Sequence, residues 1–303
     1  MSELTKNITW NDVKDDPNAI KVLDHGFIVL KEVMGSDQTI AESARVSYGV
    51  GTKTVNDDRN LIRYLVRHSH SSPLEMAECR FLVKVPIFVW RQWIRHRTAN
   101  VNELSARYSE LPEEYFMPEK WRGQSTTNKQ GGEEHIKYTS NTYGEYESVD
   151  IPMSAEDVAF DEYRNRLDSG VSRELARSCL PVSTYTMAYW KCDLHNILNF
   201  LRLRLDKHAQ KEIRDYAEAM YKLIQPKFPL VVEAFEDYQR QAVTFSRMEM
   251  NALNHILQRH YGDSEDFKDC LEGELGKDWP SFHGLSKREE NEFKAKFNFS
   301  TPK

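Results

Sequence analysis

The alternation of apolar and polar residues along the chain predicts two strands. Residues 79–85 carry an apolar side chain at every second position and end at Pro86, which is the period of a strand and a residue typical of a strand end. Residues 184–192 alternate aromatic with small side chains and include Thr, Tyr and Trp, which favour strands. Both segments are therefore expected to pair in a sheet.

Apolar residues at helical spacing predict most of the other elements. Five longer segments show this period, at residues 61–66, 87–97, 154–170, 193–201 and 206–224, and a short helix is expected between Ser172 and Pro181. In the second segment we expect Trp90 and Ile94 to face inward, with Arg91 and Arg95 one turn apart on another stripe. Ser154 with Asp157 forms a capping-box pattern, and Asp193 is expected to cap the helix that follows it.

Long helices with a few antiparallel or mixed strands predict the α+β class. Two segments depart from this pattern. Residues 111–153 are poor in aliphatic side chains and have no clear period, so we expect a long surface excursion inserted into one domain. Residues 244–303 are highly charged, yet Met250 and Leu253 keep a helical spacing. We therefore predict one domain over residues 1–243, with the insertion 111–153, and a charged, partly helical extension over residues 244–303.

Composition narrows the class of protein. With 303 residues the chain can bury a core without disulfides, and its four cysteines form no CxxC pair, which favours a reducing compartment. Residues 1–24 lack the apolar run of a signal peptide, and the most apolar stretch, residues 81–93, is too short to span a bilayer. We expect a cytoplasmic protein with no membrane segment. The net charge of −6 argues against a general nucleic-acid binder.

A local basic cluster interrupts this acidic chain. Arg91, Arg95, His96 and Arg97 fall within seven residues, and the acidic and hydroxylated segment 102–109 follows. Like charges one helical turn apart cost roughly 0.2–0.5 kcal/mol, which a bound anion would offset. A solvated basic face is the alternative, but the aromatic and acidic flanks favour a site for a small anionic ligand.

This cluster resembles the signature of flavin-dependent thymidylate synthases. Arg95, His96 and Arg97 are followed, after seven residues, by Ser105, and the flanking segments 83–89, 92–93 and 102–109 are also similar to that family. Further similar segments occur in the same order at residues 44–47, 68–75, 173–181 and 199–210. The resemblance runs from about residue 23 to residue 238, apart from the insertion.

The resemblance implies an activity, its cofactors and an assembly. The reaction would be the reductive methylation of dUMP to dTMP, with 5,10-methylenetetrahydrofolate as carbon donor and NADPH as the reductant of FAD. The enzyme would be a homotetramer whose sites form where subunits meet. Residues implied at FAD are Ser47, His70, Ser72, Glu75, Arg95, His96, Arg97, Asn102, Glu103, Asp193, His195 and Asn199. Residues implied at dUMP are Gln92, Arg95, Glu103, Leu104, Ser105, Ala106, Arg107, Arg177 and Arg204.

Arg204 and Ser105 are the catalytic candidates that the resemblance implies. A guanidinium is not a base at neutral pH, so Arg204 would stabilise negative charge at uracil N3 and O4. Ser105 would polarise and position the pyrimidine, since no His base and acid partner are apparent for a nucleophile. No GxGxxG loop is present, and arginines are the alternative ligands for the pyrophosphate of FAD.

Several other functions compete with this interpretation. Cys192 could be a nucleophile, but a buried structural cysteine is commoner. His68, His70 and His96 suggest metal ligands, yet no HExxH motif accompanies them, and we predict no metal. A non-catalytic nucleotide-binding protein would bind dUMP without colour, and a single-stranded nucleic-acid binder would show affinity that falls steeply with salt. A spectrum of the purified protein distinguishes the non-catalytic nucleotide-binding protein from a flavoenzyme.

Overall fold

The computed structural model describes residues 7–46, 57–126, 131–136 and 154–261, together with Glu289. The chain divides into two compact units, one that ends at Arg240 and one that begins at Gln241. The first unit holds every strand described below, and the second holds a single described helix of more than one turn. No helix among the described residues is both long and apolar enough to cross a membrane.

An antiparallel sheet forms the centre of the first unit. Its strands are β1 (Ala19–Val22), β2 (Gly26–Met34), β3 (Glu78–Pro86), β4 (Asn100–Glu103) and β7 (Tyr185–Asp193). They lie in the order β1-β2-β3-β7-β4, and every neighbouring pair is antiparallel. A separate antiparallel hairpin is formed by β5 (Trp121–Gln124) and β6 (Gly132–Ile136).

The helices of the chain differ widely in length. They are α1 (Trp10–Val13), α2 (Asp37–Arg45), α3 (Asp58–Arg67), α4 (Ile87–Trp93), α5 (Ala155–Asp168), α6 (Arg173–Ala176), α7 (Leu194–Arg204), α8 (Lys211–Ile224), α9 (Pro229–Phe235) and α10 (Arg247–Tyr261). Short 3-10 helices cover Ser72–Met76 and Arg177–Cys179, and a π-helical turn covers Glu236–Arg240. Helices and an antiparallel sheet together confirm the α+β class.

The sheet is buried on both faces, but unequally. Ile28 and Phe81 belong to the main core, together with the apolar faces of α3, α7, α8 and α9. Phe27, Val29 and Leu82 belong to a smaller cluster that includes side chains of α1. Because successive side chains of a strand point to opposite faces, the continuous apolar run at the start of β2 follows from this double burial.

The predicted extent of two helices was wrong. Helix α4 ends at Trp93, not at residue 97, because the N–H of Ile94 closes the last turn on the carbonyl of Trp90 and the chain then turns towards β4. Ile94 is 43 % exposed, so it does not face inward, and Arg95 lies beyond the helix instead of one turn from Arg91.

Helix α8 begins at Lys211, five residues after the predicted start. Asp206 accepts N–H hydrogen bonds at its carboxylate from His208 and at its carbonyl from Ala209, which makes a turn of the segment before the helix. The capping box of α5 and the cap of α7 at Asp193 are present as predicted.

The first part of the segment 111–153 is tied to the sheet. Tyr115 forms a β-bridge with Thr184, and the N–H of Phe116 donates to the carbonyl of Ser183 over 2.9 Å. Glu114 forms an ion pair with the buried Lys84. The predicted surface excursion stays a prediction, because residues 127–130 and 137–153 lie outside the described residues. The predicted domain boundary at residue 243 also stays a prediction.

Candidate active site

The basic cluster lies at the turn from α4 to β4. Arg95 and Arg97 are exposed, and His96 is half-buried between them. Within the described part of the chain, neither arginine has an acidic partner, whereas most other arginines of the first unit do. Guanidinium groups without an acidic partner among the described residues can act as bidentate donors to phosphate or carboxylate oxygens.

Arg204 is the last residue of α7 and is held by two uncharged acceptors. Its Nε donates to His96 Nε2 over 3.1 Å, and its Nη2 donates to the carbonyl oxygen of Gln92 over 3.2 Å. Burial lowers the pKa of the Arg204 guanidinium. Burial and the charge of Arg204 also lower the pKa of His96 to about 4. His96 is therefore neutral at pH 7, with its proton on Nδ1.

Glu103 is held at both of its carboxylate oxygens. Trp90 Nε1 donates to Oε2 over 2.9 Å, and Thr186 Oγ1 donates to Oε1 over 2.7 Å. Trp90 and Thr186 are both buried, so the Glu103 carboxylate is anchored to α4 and to β7. Neither anchor is evident from the sequence. The strand register of β4 against β7 was the missing information, because it pairs Glu103 with Ala188, two residues from Thr186.

The segment after β4 is a tight turn around Ser105. The N–H of Leu104 donates to the carbonyl of Met187 over 2.8 Å, which continues the strand pairing. Ser105 Oγ accepts from the N–H of Arg107 over 3.3 Å, and Ala106 is buried. No histidine contacts the Ser105 hydroxyl among the described residues, which fits a polar, positioning group better than an activated nucleophile.

Gln92 is connected to the rest of the molecule by a chain of polar contacts. The side-chain amide of Gln92 donates to the side-chain Oε1 of Gln210, and Gln210 Nε2 in turn donates to Glu212 over 2.8 Å. Arg122 of β5 forms an ion pair with the same Glu212 over 2.6 Å. The orientation of Gln92 thus depends on α8 and on the β5–β6 hairpin, which the sequence did not predict.

Three of the residues implied at FAD lie near one another before β3. The 3-10 helix Ser72–Met76 packs against α7 and contains the exposed Ser72 and Glu75. The His70 ring contacts the Tyr64 ring edge-on, with 5.4 Å between their centroids. Ser69 adopts a φ of 58°, in the left-handed region, which turns the chain sharply out of α3. Ser47 lies outside the described residues.

The amino-terminal half of α7 contributes three more of these residues. Asp193 accepts from the N–H of Asn196 over 2.9 Å and also from its side-chain amide, so its carboxylate acts as the helix cap. Asn199 Oδ1 accepts from Arg202 over 3.1 Å, and His195 is half-buried. With a rise of about 1.5 Å per residue, Asn199 and Arg204 lie roughly 7.5 Å apart along α7. One helix thus holds candidates for both ligands.

The remaining residues implied at dUMP form a separate group. Arg107 forms an ion pair with Glu174 of α6 over 3.4 Å. Arg177 follows α6 directly, in the 3-10 helix, and is exposed. No described contact joins these two arginines to Arg204. Asn102, which is one of the residues implied at FAD, is exposed on β4.

Cys192 is built into the sheet. It is 3 % exposed, and its Sγ donates to the carbonyl of Thr98 over 3.0 Å. Burial raises the pKa of the Cys192 thiol, and it raises the pKa of its cross-strand neighbour Cys79 to about 12. A thiol with a raised pKa is a poor nucleophile at neutral pH, which supports a structural role.

The described residues contain no cluster of three or more His, Cys, Asp or Glu side chains that could hold a metal ion. His68 and His70 instead make ring contacts with Tyr64 and with each other.

The family model and the similar proteins that match this chain all point to one family. Residues 29–230 match the family model described as thymidylate synthase complementing protein. The flavin-dependent thymidylate synthase of Dictyostelium discoideum is 48 % identical over 269 residues, which cover 83 % of this chain and 87 % of that protein. The enzyme of the same name from Thermus thermophilus is 47 % identical over 243 residues, 80 % of this chain and 87 % of its own.

A solved structure agrees with this assignment. The UMP/dUMP methylase PolB from Streptomyces cacaoi, in a crystal structure with bound 5-Br UMP, is 32 % identical, with a TM-score of 0.59. The alignment covers 73 % of this chain and 98 % of PolB. Since the family model spans most of the first unit and the relatives match over most of their lengths, the chain belongs to the family of flavin-dependent thymidylate synthases.

Proposed function

We propose that the protein catalyses the reductive methylation of dUMP to dTMP, with FAD as cofactor, NADPH as reductant and 5,10-methylenetetrahydrofolate as carbon donor. The names of its relatives and the nucleotide bound to PolB support this reaction. The observation that carries the proposal is Arg204, a half-buried cation that is held by neutral acceptors and has no carboxylate partner in the described part of the chain.

Arg204 retains donors for a ligand. A guanidinium has five N–H groups, and the described contacts of Arg204 use two of them. The others can donate to uracil N3 and O4, where negative charge develops when C5 becomes nucleophilic. Because the guanidinium is partly desolvated, this stabilisation is stronger than it would be in water.

Glu103 and Ser105 fit a role at the nucleotide. The Glu103 carboxylate is anchored by Trp90 and Thr186, and each of its oxygens has a further lone pair that can accept from a sugar hydroxyl. The Ser105 hydroxyl accepts one N–H in its turn and can donate its own proton to the pyrimidine. Both groups bind and orient the substrate, and neither needs to transfer a proton.

The positive charges of the signature suit a binding site for the pyrophosphate of FAD. The exposed guanidinium groups of Arg95 and Arg97 have no acidic partner among the described residues, as a site for a pyrophosphate requires. FAD supplies the hydride that completes the methyl group. The exposed Ser72 and Glu75 and the half-buried Asn199 add hydrogen-bonding groups beside α7.

The proposed assembly is a homotetramer with shared active sites, in the cytoplasm. The sharing of active sites between subunits is supported by Arg107 and Arg177. Both arginines are exposed and lie near α6, and no described contact joins either of them to Arg204. A second copy of the chain could bring these two arginines to Arg204. Cys79, Cys179 and Cys192 are free thiols, which suits a reducing compartment.

One spectrum and one assay test the proposed reaction. Purified protein should be yellow and should form dTMP only when NADPH and methylenetetrahydrofolate are both present. It should also release tritium from C5-labelled dUMP. Colourless protein that binds dUMP without turnover would show a nucleotide-binding protein and reject the reaction.

Arg97→Ala tests the cofactor site. Removal of this phosphate-binding cation should lower the FAD content of the purified protein, measured from the absorbance near the flavin maximum relative to protein. Arg164→Ala is the matched control, since Arg164 is a similarly exposed arginine of α5 that pairs with Asp161 and with Glu113. An Arg97→Ala protein with the FAD content of the control would contradict the assignment.

A further inference from the structure

We infer that His96 is a positioning residue for Arg204, which it holds in the orientation that receives the uracil ring without neutralising the guanidinium charge. This inference rests on the proposed function, since it names how one residue of that site is oriented. His96 would orient Arg204, whereas the family resemblance implies only that His96 contacts FAD.

The geometry makes His96 a rigid support. The backbone N–H of His96 donates to the backbone carbonyl of Trp93 over 3.0 Å, which fixes the turn after α4. Its ring lies edge-on to the fully buried Phe200, with 4.9 Å between the centroids. Arg204, by contrast, has a long side chain with many rotamers. A fixed acceptor at Nε2 therefore selects one direction for the Arg204 guanidinium.

The chemistry of the contact explains why an imidazole is suited to this position. A carboxylate would orient Arg204 equally well, but it would neutralise the charge that the uracil ring needs. A neutral imidazole accepts one hydrogen bond from Nε and leaves the positive charge uncompensated. The carbonyl oxygen of Gln92 acts in the same way on Nη2. The burial of His96 keeps the ring in the neutral form that this contact requires.

His96 differs from its neighbours in the signature, Arg95 and Arg97, in the contacts that its side chain makes. Arg95 and Arg97 are exposed, and their guanidinium groups make no described contact, so they are available to the cofactor. The Nε2 atom of His96 already has Arg204 as its partner. Loss of the His96 acceptor should therefore affect the affinity for uridylate more than the retention of flavin.

Three substitutions at one position test this. His96→Gln keeps an acceptor about where Nε2 lies, His96→Asn is polar but too short to reach, and His96→Leu removes the acceptor. Each holoenzyme is characterised by its FAD content, by calorimetric titration with dUMP, and by kcat and KM. We expect the Leu and Asn variants to retain FAD and to bind dUMP roughly 10- to 100-fold more weakly, the range for a lost hydrogen bond to a charged group. The Gln variant should recover most of the affinity.

A double-mutant cycle shows whether His96 acts through Arg204. Once Arg204→Gln has removed the guanidinium, His96→Leu should weaken dUMP binding by less than about twofold more. Independent, multiplicative losses would overturn the inference. Loss of FAD from the Leu and Asn variants with unchanged dUMP affinity would also overturn it. If Leu does not fold, the Asn and Gln pair gives the same comparison.

Failure of the inference is distinguishable from failure of the proposed function. Wild-type protein that lacks FAD and forms no dTMP would reject the function. Wild-type protein that is active, with His96 variants that bind dUMP normally, would reject only the role of His96.

Discussion

Arginine side chains of this protein are held in two different ways. Arg63 is buried on α3 and pairs with Glu233 over 2.9 Å and with Asp237 over 2.5 Å, which is a satisfied structural ion pair. Arg204 is half-buried, but its described partners are an imidazole nitrogen and a carbonyl oxygen. A partly buried cation without a counter-ion is costly for the folded protein, and this cost supports our proposal that a ligand uses the charge of Arg204. The sequence alone cannot make this distinction, because both residues are arginines on helices.

Arg204→Ala should remove most turnover while FAD remains bound. The substitution deletes the donors that we propose stabilise charge on the uracil ring, and the loss of one such electrostatic contact lowers kcat by roughly 100- to 1000-fold. Turnover is measured at saturating dUMP, and FAD is quantified by absorbance. Arg164→Ala again serves as the surface control. A near-normal rate at saturating dUMP would remove Arg204 from the reaction.

The neutral form of His96 predicts a pH dependence of stability. Its pKa in the folded protein is about 4, below the value of 6.5 in an unfolded chain. Above pH 6.5 the ring is neutral in both states. Between pH 6.5 and 4 the unfolded state binds a proton that the folded state does not, so the free energy of unfolding falls as the pH falls.

Urea unfolding of wild-type and His96→Gln protein at pH 7 and pH 5 measures this contribution. Gln does not titrate, so the variant should lose less stability than the wild type over that interval. Equal losses in both proteins would mean that His96 takes up its proton equally in the folded and unfolded states.

At the scale of elements, periodicity located the helices and strands better than their ends. The strands β3 and β7 and the helices α5 and α7 lie where the spacing of apolar residues predicted them. The ends of α4 and α8 differ, because both are set by turns whose hydrogen bonds involve backbone carbonyls and a local Asp side chain. Apolar spacing carries no information about such turns. The pairing of residues 114–116 with the start of β7 was missed for a related reason, since a single bridge leaves no period in the sequence.

Ser154→Ala should destabilise the first unit by about 1 kcal/mol, the usual cost of a lost helix cap. Ser154 Oγ accepts from the N–H of Asp157 over 3.1 Å, while the Asp157 carboxylate accepts from the N–H of Ser154 over 2.8 Å. Alanine leaves the first of these N–H groups without its partner. Urea unfolding followed by circular dichroism measures the change.

Ser169→Ala is the matched control for the cap, because Ser169 is the C-cap of the same helix and its described hydrogen bonds come from its backbone. This substitution should leave the unfolding midpoint nearly unchanged. Equal effects of the two substitutions would show that the Ser154 side chain contributes no specific stabilisation.

At the scale of the whole molecule, the signature located the candidate site and the fold supplied its connections. The cluster at 95–97 and the segment 102–109 were identified from residue types and spacing, and α7 does bring Arg204 to His96. The anchoring of Glu103 by Trp90 and Thr186, and the chain from Gln92 through Gln210, depend on strand register and helix packing over long separations in sequence. Residue types alone do not encode these distances.

Co-expression of two inactive variants tests the proposed sharing of active sites. Suppose that each site takes Arg177 from one subunit and Arg204 from another. An Arg177→Ala chain then still supplies Arg204, and an Arg204→Ala chain still supplies Arg177. Random assembly of the two chains should restore about a quarter of the sites, so dTMP formation should return to a similar fraction of the wild-type rate.

The control replaces the Arg204→Ala chain by the double variant with both substitutions, which leaves no chain that carries Arg177. That mixture should stay inactive at every ratio of the two chains. If the first mixture is as inactive as this control, although both variants are present in one assembly, then both arginines of a site come from the same subunit. Arg177 and Arg204 would then have to bind the same dUMP molecule from within one chain.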